Sequence, residues 1–231
     1  MKVLRYIIMC AAVSCASVAY ADIFSTPAGA TAGGQPVNAT AIISTSDSGA
    51  AFVTIINNQA NPTSIIQAVS DLFFDLSGPV GSGALNTSQG VERNIAANGT
   101  FTDGNTVDTG WALSHVGSTF HLNVLGTAIG PAHLIIGGPD INSNVYSNAN
   151  GSIAGNGPHN PFLAGPAFFM IEDFGIFGAT QVSNVVFSFG TEAGTNVPGV
   201  GNNVPDSGAT VALLGLALMG LAVARAKFRK A

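Results

Sequence analysis

Residues 38–57 read NATAIISTSDSGAAFVTIIN. Two runs rich in β-branched and aromatic residues, 38–44 and 51–57, flank the turn-forming cluster TSDSG at 45–49. Paired runs of this kind around a Ser, Asp and Gly cluster are typical of a β-hairpin. The stretch therefore predicts two antiparallel strands, and the rest of the body repeats its pattern.

Short runs of the same kind continue to residue 193, separated by turn pairs such as Asn98-Gly99 and Asp103-Gly104. No segment of this body has a sustained period of 3.6 residues, so helix is expected to be scarce. About eight short strands predict an all-β fold, an antiparallel β-sandwich of either jelly-roll or immunoglobulin-like topology. Besides the hairpin, the predicted strands are 65–76, 106–115, 119–125, 133–136, 167–172 and 181–190.

The N-terminus has the three parts of a secretory signal peptide. Lys2 and Arg5 give a basic start, residues 6–18 are mainly apolar, and Ala19 and Ala21 form an A-x-A cleavage site. This predicts a signal helix in residues 1–21 that signal peptidase removes, and export of the remainder. A lipoprotein signal ending at Cys15 is the alternative.

Cysteine and charge then exclude several classes of chemistry. Both cysteines, Cys10 and Cys15, lie in the predicted signal peptide, which excludes cysteine-ligated metals and thiol nucleophiles from the mature chain. Between residues 22 and 206 the chain has one basic residue, Arg93, and all twelve acidic residues, a net charge of −11. Such a surface disfavours nucleic acid and anionic lipid, because both need clustered Lys and Arg. A neutral glycan or a divalent cation fits the charge better.

The C-terminal region reads as a membrane segment with a basic stop. Residues 209–224 carry no charge, and a helix of that length would span about 24 Å, less than the ~30 Å of a hydrocarbon core. The basic residues after it are Arg225, Lys227, Arg229 and Lys230. By the positive-inside rule they keep the 225–231 tail in the cytoplasm. A transmembrane helix is predicted; a plain tail anchor and a buried core helix are the alternatives.

Just before this helix stand Val204, Pro205, Asp206, Ser207 and Gly208. The order of motif, apolar helix and basic tail resembles the PEP-CTERM class of sorting signals, in its VPDSG variant. The resemblance implies that an exosortase cleaves the 204–231 signal after transient insertion in the inner membrane, and that the protein reaches the cell surface or extracellular matrix. The catalytic residues would then belong to the exosortase. Residues 194–203, rich in Gly, Asn and Pro, are predicted to be a flexible spacer after a 22–193 domain.

Two candidate sites lie in the long loop 137–165. Asp140, Asn142 and Asn144 offer alternating oxygen ligands, but Val145 and Gly151 break the EF-hand pattern, so a looser calcium site and an Asx-turn loop both remain open. Tyr146, Asn148, His159 and Asn160 give the loop groups suited to a hydroxyl-rich ligand. The alternative is a loop whose Asn and Gly residues only turn the chain. No other cofactor is indicated.

Catalytic patterns are weak. His115 and His121 lack a zinc-ligand spacing. The close carboxylate pairs are Asp71/Asp75 and Glu172/Asp173, and the spacing of Asp71 and Asp75 also fits the solvent side of a strand. The sequence therefore predicts a non-enzymatic structural or adhesive protein of an exopolysaccharide or biofilm matrix. A glycan-binding module of that matrix is the first alternative, and a glycan hydrolase is the second.

Overall fold

The computed structural model describes residues 20–46, 48–78, 80–81, 83–125, 133–155, 157, 159–173, 176, 180–192 and 195–202. Among these residues the helical content is a single 3-10 turn, Ile65–Gln67, and the regular structure is otherwise β-strand. The strands are β1 (Tyr20–Ser25), β2 (Thr31–Ala32), β3 (Gln35–Pro36), β4 (Ala39–Ser46), β5 (Ala50–Asn57), β6 (Val69–Leu76), β7 (Ala84–Ile95), β8 (Phe101–Asp108), β9 (Ala112–Val116), β10 (Thr119–Asn123), β11 (Ile135–Ile136), β12 (Phe162–Glu172), β13 (Val182–Phe189), β14 (Asn196–Pro198) and β15 (Val200–Asn202).

The predicted hairpin is confirmed as β4 and β5. The two strands pair antiparallel from Ala39 opposite Asn57 to Ser46 opposite Ala50, without a register shift. Ala41, Ile43 and Val53 point inward and are at most 1% exposed. Successive strand residues point to opposite faces, so Thr40, Ile42 and the other alternate residues form the outer face.

The thirteen main strands form one hydrogen-bonded sheet with two halves. We call the β15-β1-β4-β5-β12-β7-β8 half the first sheet and the β14-β13-β6-β10-β9 half the second sheet. The short β11 joins them, because Ile135 pairs parallel with Leu163 of β12 and antiparallel with Val69 of β6. The separate β2 and β3 form a two-stranded sheet.

A single hydrophobic core contains inward residues of both sheets. Val53 and Phe169 come from the first sheet, and Phe74 and Phe120 come from the second. Trp111, between β8 and β9, lies 5.2 Å from the Phe169 ring. The architecture is therefore all-β and sandwich-like, as predicted.

The prediction of a flexible spacer at 194–203 is wrong for most of that segment. β14 pairs with β13, and β15 pairs with β1 through Ile23 opposite Asn202. Val197 is only 7% exposed, so this Gly- and Asn-rich segment contributes to the core. The compact unit runs from Ala21 to Asn203, beyond the predicted end of the domain at residue 193.

Two other strand predictions need correction. The run 106–115 is divided between β8 and β9 by a break at residues 109–111, where Trp111 turns into the core. The twelve-residue β7, Ala84–Ile95, was not predicted because its sequence ALNTSQGVERNI has few β-branched residues. Pairing with β12 on one side and β8 on the other forms this strand.

Residues 1–19 of the predicted signal helix and the whole predicted transmembrane helix lie outside the described residues, whereas Tyr20 and Ala21 begin the strand β1. Within the described part of the chain, no helix has the length and apolar character needed to cross a bilayer.

Candidate functional site

Arg93, on β7, is the centre of a polar cluster at the first sheet. Its guanidinium donates from Nε and Nη2 to the two carboxylate oxygens of Asp103, at 2.6 and 2.7 Å. Nη1 donates to the Tyr146 hydroxyl at 3.0 Å, and the guanidinium carbon lies 4.1 Å from the centre of the Phe101 ring. The sole basic residue between 22 and 206 is therefore engaged on three sides and is not a free binding group.

The cluster shifts the acid–base behaviour of its members. The hydrogen bonds from Arg93 lower the pKa of Asp103, against a smaller opposing effect of burial. Burial raises the pKa of Tyr146, and the hydrogen bond from Arg93 only partly offsets this. Burial alone would lower the pKa of Arg93, but its hydrogen bonds to Asp103 and Tyr146 outweigh burial and raise it.

Two residues of the predicted ligand loop, Tyr146 and Asn160, form hydrogen bonds that hold the loop against the body. Tyr146 is 2% exposed and its hydroxyl donates to the Gly137 carbonyl at 2.8 Å. Asn160 accepts a hydrogen bond from the Ile95 amide and donates one to the Ile95 carbonyl, at 3.1 and 2.9 Å. These two side chains hold the loop in place, contrary to their predicted role of facing a ligand.

The other two predicted ligand residues, Asn148 and His159, also have contacts or burial within the protein. Asn148 has a φ of 59° and donates to the Thr63 carbonyl at 3.3 Å. His159 is half-buried. The structure therefore does not gather Tyr146, Asn148, His159 and Asn160 into one exposed site.

The calcium candidates form an Asx-type turn. Asp140 Oδ1 accepts hydrogen bonds from the backbone amides of Asn142 and Ser143 and from the Ser143 hydroxyl, at 2.8–3.0 Å. The donors from Ser143, and then the Asn142 amide, lower the pKa of the Asp140 carboxyl. Asn144 has a φ of 54° and its amide closes the turn onto the Asp140 carbonyl. The loop is thus built by its own hydrogen bonds, and a calcium ion there remains a prediction.

The carboxylate pairs do not converge. Asp71 and Asp75 share one face of β6, but four strand residues separate them by about 13 Å. A glycosidase needs its two carboxyl groups roughly 5–9.5 Å apart. Glu172 is exposed, whereas the buried Asp173 turns away and accepts hydrogen bonds from the Gly81 and Gly83 amides at 2.9 Å.

The histidines are distributed over several environments. His115 and His121 lie on opposite strands of the β9–β10 hairpin, where His115 pairs with Phe120. His133 is 3% exposed and its Nδ1 lies 2.6 Å from the Pro161 carbonyl. Among the described residues, no group of three or more His, Cys, Asp or Glu side chains is placed to hold a metal ion.

Sequence reasoning missed a close approach of the half-buried His121 to the buried Asp71. His121 Nε2 lies 3.8 Å from Asp71 Oδ1, and the imidazole stacks on Phe73 at 3.8 Å between ring centres. Both residues point to the outer face of the second sheet, because His121 is opposite Phe73 and Asp71 is two residues before Phe73. The pairing depends on strand register, so spacing along the chain gives no signal for it.

Two surface features were also missed. A cavity of about 580 Å³ lies between the starts of β7 and β9, with Asn86, Asp108 and Trp111 in its lining. On the outer face of the first sheet, Phe52 and Phe168 are 44% and 52% exposed. Neither the lining of this cavity nor this pair of phenylalanines includes a residue of the 137–165 loop.

Residues 203–228 match the VPDSG-CTERM motif, and the match begins directly after β15 ends at Asn202. The chain carries a PEP-CTERM-like sorting signal of the VPDSG type. No curated protein and no solved structure matches the chain.

The VPDSG-CTERM motif implies an exported protein that an exosortase processes. The predicted motif residues 204–208, the predicted membrane stop at 225–230 and Ala19 of the predicted signal cleavage site lie outside the described residues. Ala21 is described, and it precedes Ile23, the first β1 residue paired with β15. Signal peptide cleavage after Ala21 would therefore leave that ladder complete.

Proposed function

We propose that this VPDSG-CTERM protein is a structural or adhesive component of an extracellular polysaccharide matrix, of the kind found in biofilms. The observation that carries the proposal is the sorting motif at 203–228, which directly follows a folded β-body whose last strand ends at Asn202. In this proposal, signal peptidase removes residues 1–21, the inner membrane holds the precursor, and the exosortase releases the body.

The body has properties that suit such a location. It contains no cysteine between residues 22 and 231, so its folding does not depend on disulfides or on the redox state outside the cell. Its sheets share one hydrophobic core, and its single Arg93 is engaged internally. An acidic surface of this kind favours solubility among neutral polymers.

Intact-mass analysis of the native protein recovered from the cell surface tests the proposal. We expect loss of residues 1–21 and of the segment 209–231. A Pro205→Ala, Asp206→Ala double variant should stay in the membrane fraction with the C-terminal segment attached. Thr210→Ala is the matched control, because it lies just outside the motif. Surface-located protein that retains residues 209–231 would establish a plain tail anchor and overturn the proposal.

The second candidate function is binding of a matrix glycan. The exposed pair Phe52 and Phe168 favours it, because neighbouring exposed apolar side chains often mark a ligand or partner site. Binding of the protein to a panel of exopolysaccharides, with and without calcium, separates this function from a purely structural one. Calcium-dependent binding that Asp140→Asn abolishes would assign the calcium site as well.

A further inference from the structure

The outer face of the first sheet carries an uncharged surface made of two adjacent rows. Strand register defines both rows, since each residue lies directly opposite the next. The first row is Ser44, Phe52, Met170 and Thr87, and the second is Ile42, Thr54, Phe168 and Gln89. We call these eight residues the uncharged face.

The apolar members of this face remain accessible to solvent. Phe52 is 44% exposed and Phe168 is 52% exposed, although both lie in the middle strands of the first sheet. They occupy diagonal positions on neighbouring strands, because Phe52 is opposite Met170 and Phe168 is opposite Thr54. Diagonal neighbours lie about 7–8 Å apart, so the two aromatic side chains are adjacent on this face.

The other half of the face consists of hydroxyl and amide groups. Ser44 and Thr87 end the first row, and Thr54 and Gln89 belong to the second. Within the described part of the chain, these four side chains make no hydrogen bond to another protein group. Donors and acceptors therefore lie beside the rings, available to a ligand.

The uncharged face has no acidic residue, although the protein as a whole is acidic. Twelve acidic residues lie between 22 and 206, yet none lies in either row. The nearest carboxylates in the ladders are at the border, Glu172 two residues beyond Met170 and Asp108 opposite Gln89. Desolvating a charge is costly, so an uncharged face on an acidic protein is suited to a ligand that is also uncharged.

We propose that the uncharged face binds a neutral polysaccharide chain, an inference that rests on the matrix function proposed above and assigns its binding surface. A pyranose ring presents apolar C–H groups on its face and hydroxyl groups at its edge. The first can pack on Phe52 and Phe168, and the second can bond to the hydroxyl and amide groups beside them.

Charge argues against the other occupants of such a face. A second copy would bring another body of net charge −10, from Arg93 and the eleven acidic residues between 22 and 203, against the first. Anionic lipid and acidic polymers would meet the same repulsion, since the face has no Lys or Arg. A neutral polymer meets no such repulsion.

The test uses full-length protein and a Phe52→Ser, Phe168→Ser double variant, with insoluble cellulose and a soluble neutral β-glucan as probes. We expect the double variant to bind at least one probe about tenfold more weakly, the loss of two aromatic contacts. Val116→Ser is the matched control, because Val116 is 84% exposed but lies on β9 of the second sheet. The control should bind as the native protein does.

A second variant, Thr54→Asp, keeps both rings and places a carboxylate at the centre of the face. We expect it to weaken binding to the neutral probe, and circular dichroism and thermal melting should match the native protein. Equal binding by the native protein and both face variants would overturn the proposal. So would native binding only to phosphatidylcholine vesicles, or a dimer in sedimentation that the double variant abolishes.

The two proposals fail in different experiments. If the protein stays in the inner membrane but the face variants lose polysaccharide binding, the matrix function fails and the uncharged face remains a glycan site. If the protein is released to the surface but no neutral polysaccharide binds, the uncharged face is not a glycan site and a structural role remains.

Discussion

Arg93 and Asp103 form a two-point ion pair across the β7–β8 ladder, with donor–acceptor distances of 2.6 and 2.7 Å. Arg93 also donates to the buried Tyr146 hydroxyl, which in turn donates to the Gly137 carbonyl. Through these contacts the one cation of the body connects two strands to the long loop. Its role is to position that loop, and the surface gains no free positive charge from it.

Replacing Arg93 should therefore destabilise the fold. Arg93→Ala removes the ion pair, the packing on Phe101 and one partner of Tyr146, and we expect it to lower the free energy of unfolding by about 1–3 kcal/mol. Arg93→Lys should cost less, because it keeps the charge but loses the two-point geometry. Urea denaturation measures both. A stability within about 0.5 kcal/mol of native for Arg93→Ala would contradict this role.

Stability should fall at both ends of the pH range. The pKa of Asp103 is lowered in the folded state, so its contribution is complete above about pH 3.9 and is lost as pH falls through the folded value. The pKa of Tyr146 is raised, so its contribution is complete below about pH 10 and is lost as pH rises through the folded value. Urea midpoints measured across pH should flatten at the acid end in Asp103→Asn and at the alkaline end in Tyr146→Phe.

The Asp140 turn offers a comparison for the acid limb. Its carboxyl pKa is also lowered, but its hydrogen bonds lie at the exposed surface of the loop. We expect Asp140→Asn to leave the acid dependence of global stability nearly as it is in the native protein, because exposed interactions contribute little. A larger effect from Asp140 than from Asp103 would show that the loop, and not the Arg93 cluster, controls acid unfolding.

Gly99 should be far less replaceable than Gly117. Both have positive φ, 85° and 63°, but a Cβ at Gly99 would clash with the Tyr146 carbonyl oxygen, whereas one at Gly117 would meet nothing within 4 Å. We expect Gly117→Ala to cost about 1–2 kcal/mol, the price of the left-handed conformation, and Gly99→Ala to cost clearly more. Equal melting temperatures for the two variants would show that the backbone at Tyr146 can move away from the added Cβ without loss of stability.

Ending the chain at residue 193 should destabilise the sandwich, whereas ending it at residue 203 should not. The shorter chain lacks β14 and β15 and uncovers the core around Val197. Loss of one buried Val and two short ladders costs about 3 kcal/mol, or roughly 6–12 °C in melting temperature for a body of this size. Equal melting temperatures for the two chains would show that residues 194–203 act as a spacer and do not stabilise the sandwich.

Asn57 and Asn58 are neighbours that should respond differently to replacement by Ala. The buried Asn57 amide donates to the carbonyls of Gln67 and Ile135, at 2.8 and 2.9 Å. Asn57→Ala leaves both carbonyls without this donor, and we expect a loss of about 2–4 kcal/mol. The Asn58 side chain donates to the Thr40 hydroxyl at the surface, and the backbone bond of Asn58 to Asn38 does not need the side chain, so Asn58→Ala should change stability by less than about 0.5 kcal/mol.

The residue pattern predicted the fold class, the β4–β5 hairpin and the sorting signal, because each depends on a local stretch of chain. Alternation and turn residues specify a hairpin within twenty residues, and the motif at 203–228 is read directly from consecutive positions. The net charge and the absence of cysteine from the body follow directly from the amino-acid composition.

Tertiary structure decided what depends on distant partners. β7 and β15 are strands because β12, β8 and β1 supply their hydrogen bonds, which outweigh weak strand propensity. Register placed His121 beside Asp71 and put Phe52 and Phe168 on one face, and burial gave Tyr146 a structural role. The sequence determines which side chains of a strand share one face of the sheet. Only the pairing between strands decides which side chains of different strands come into contact.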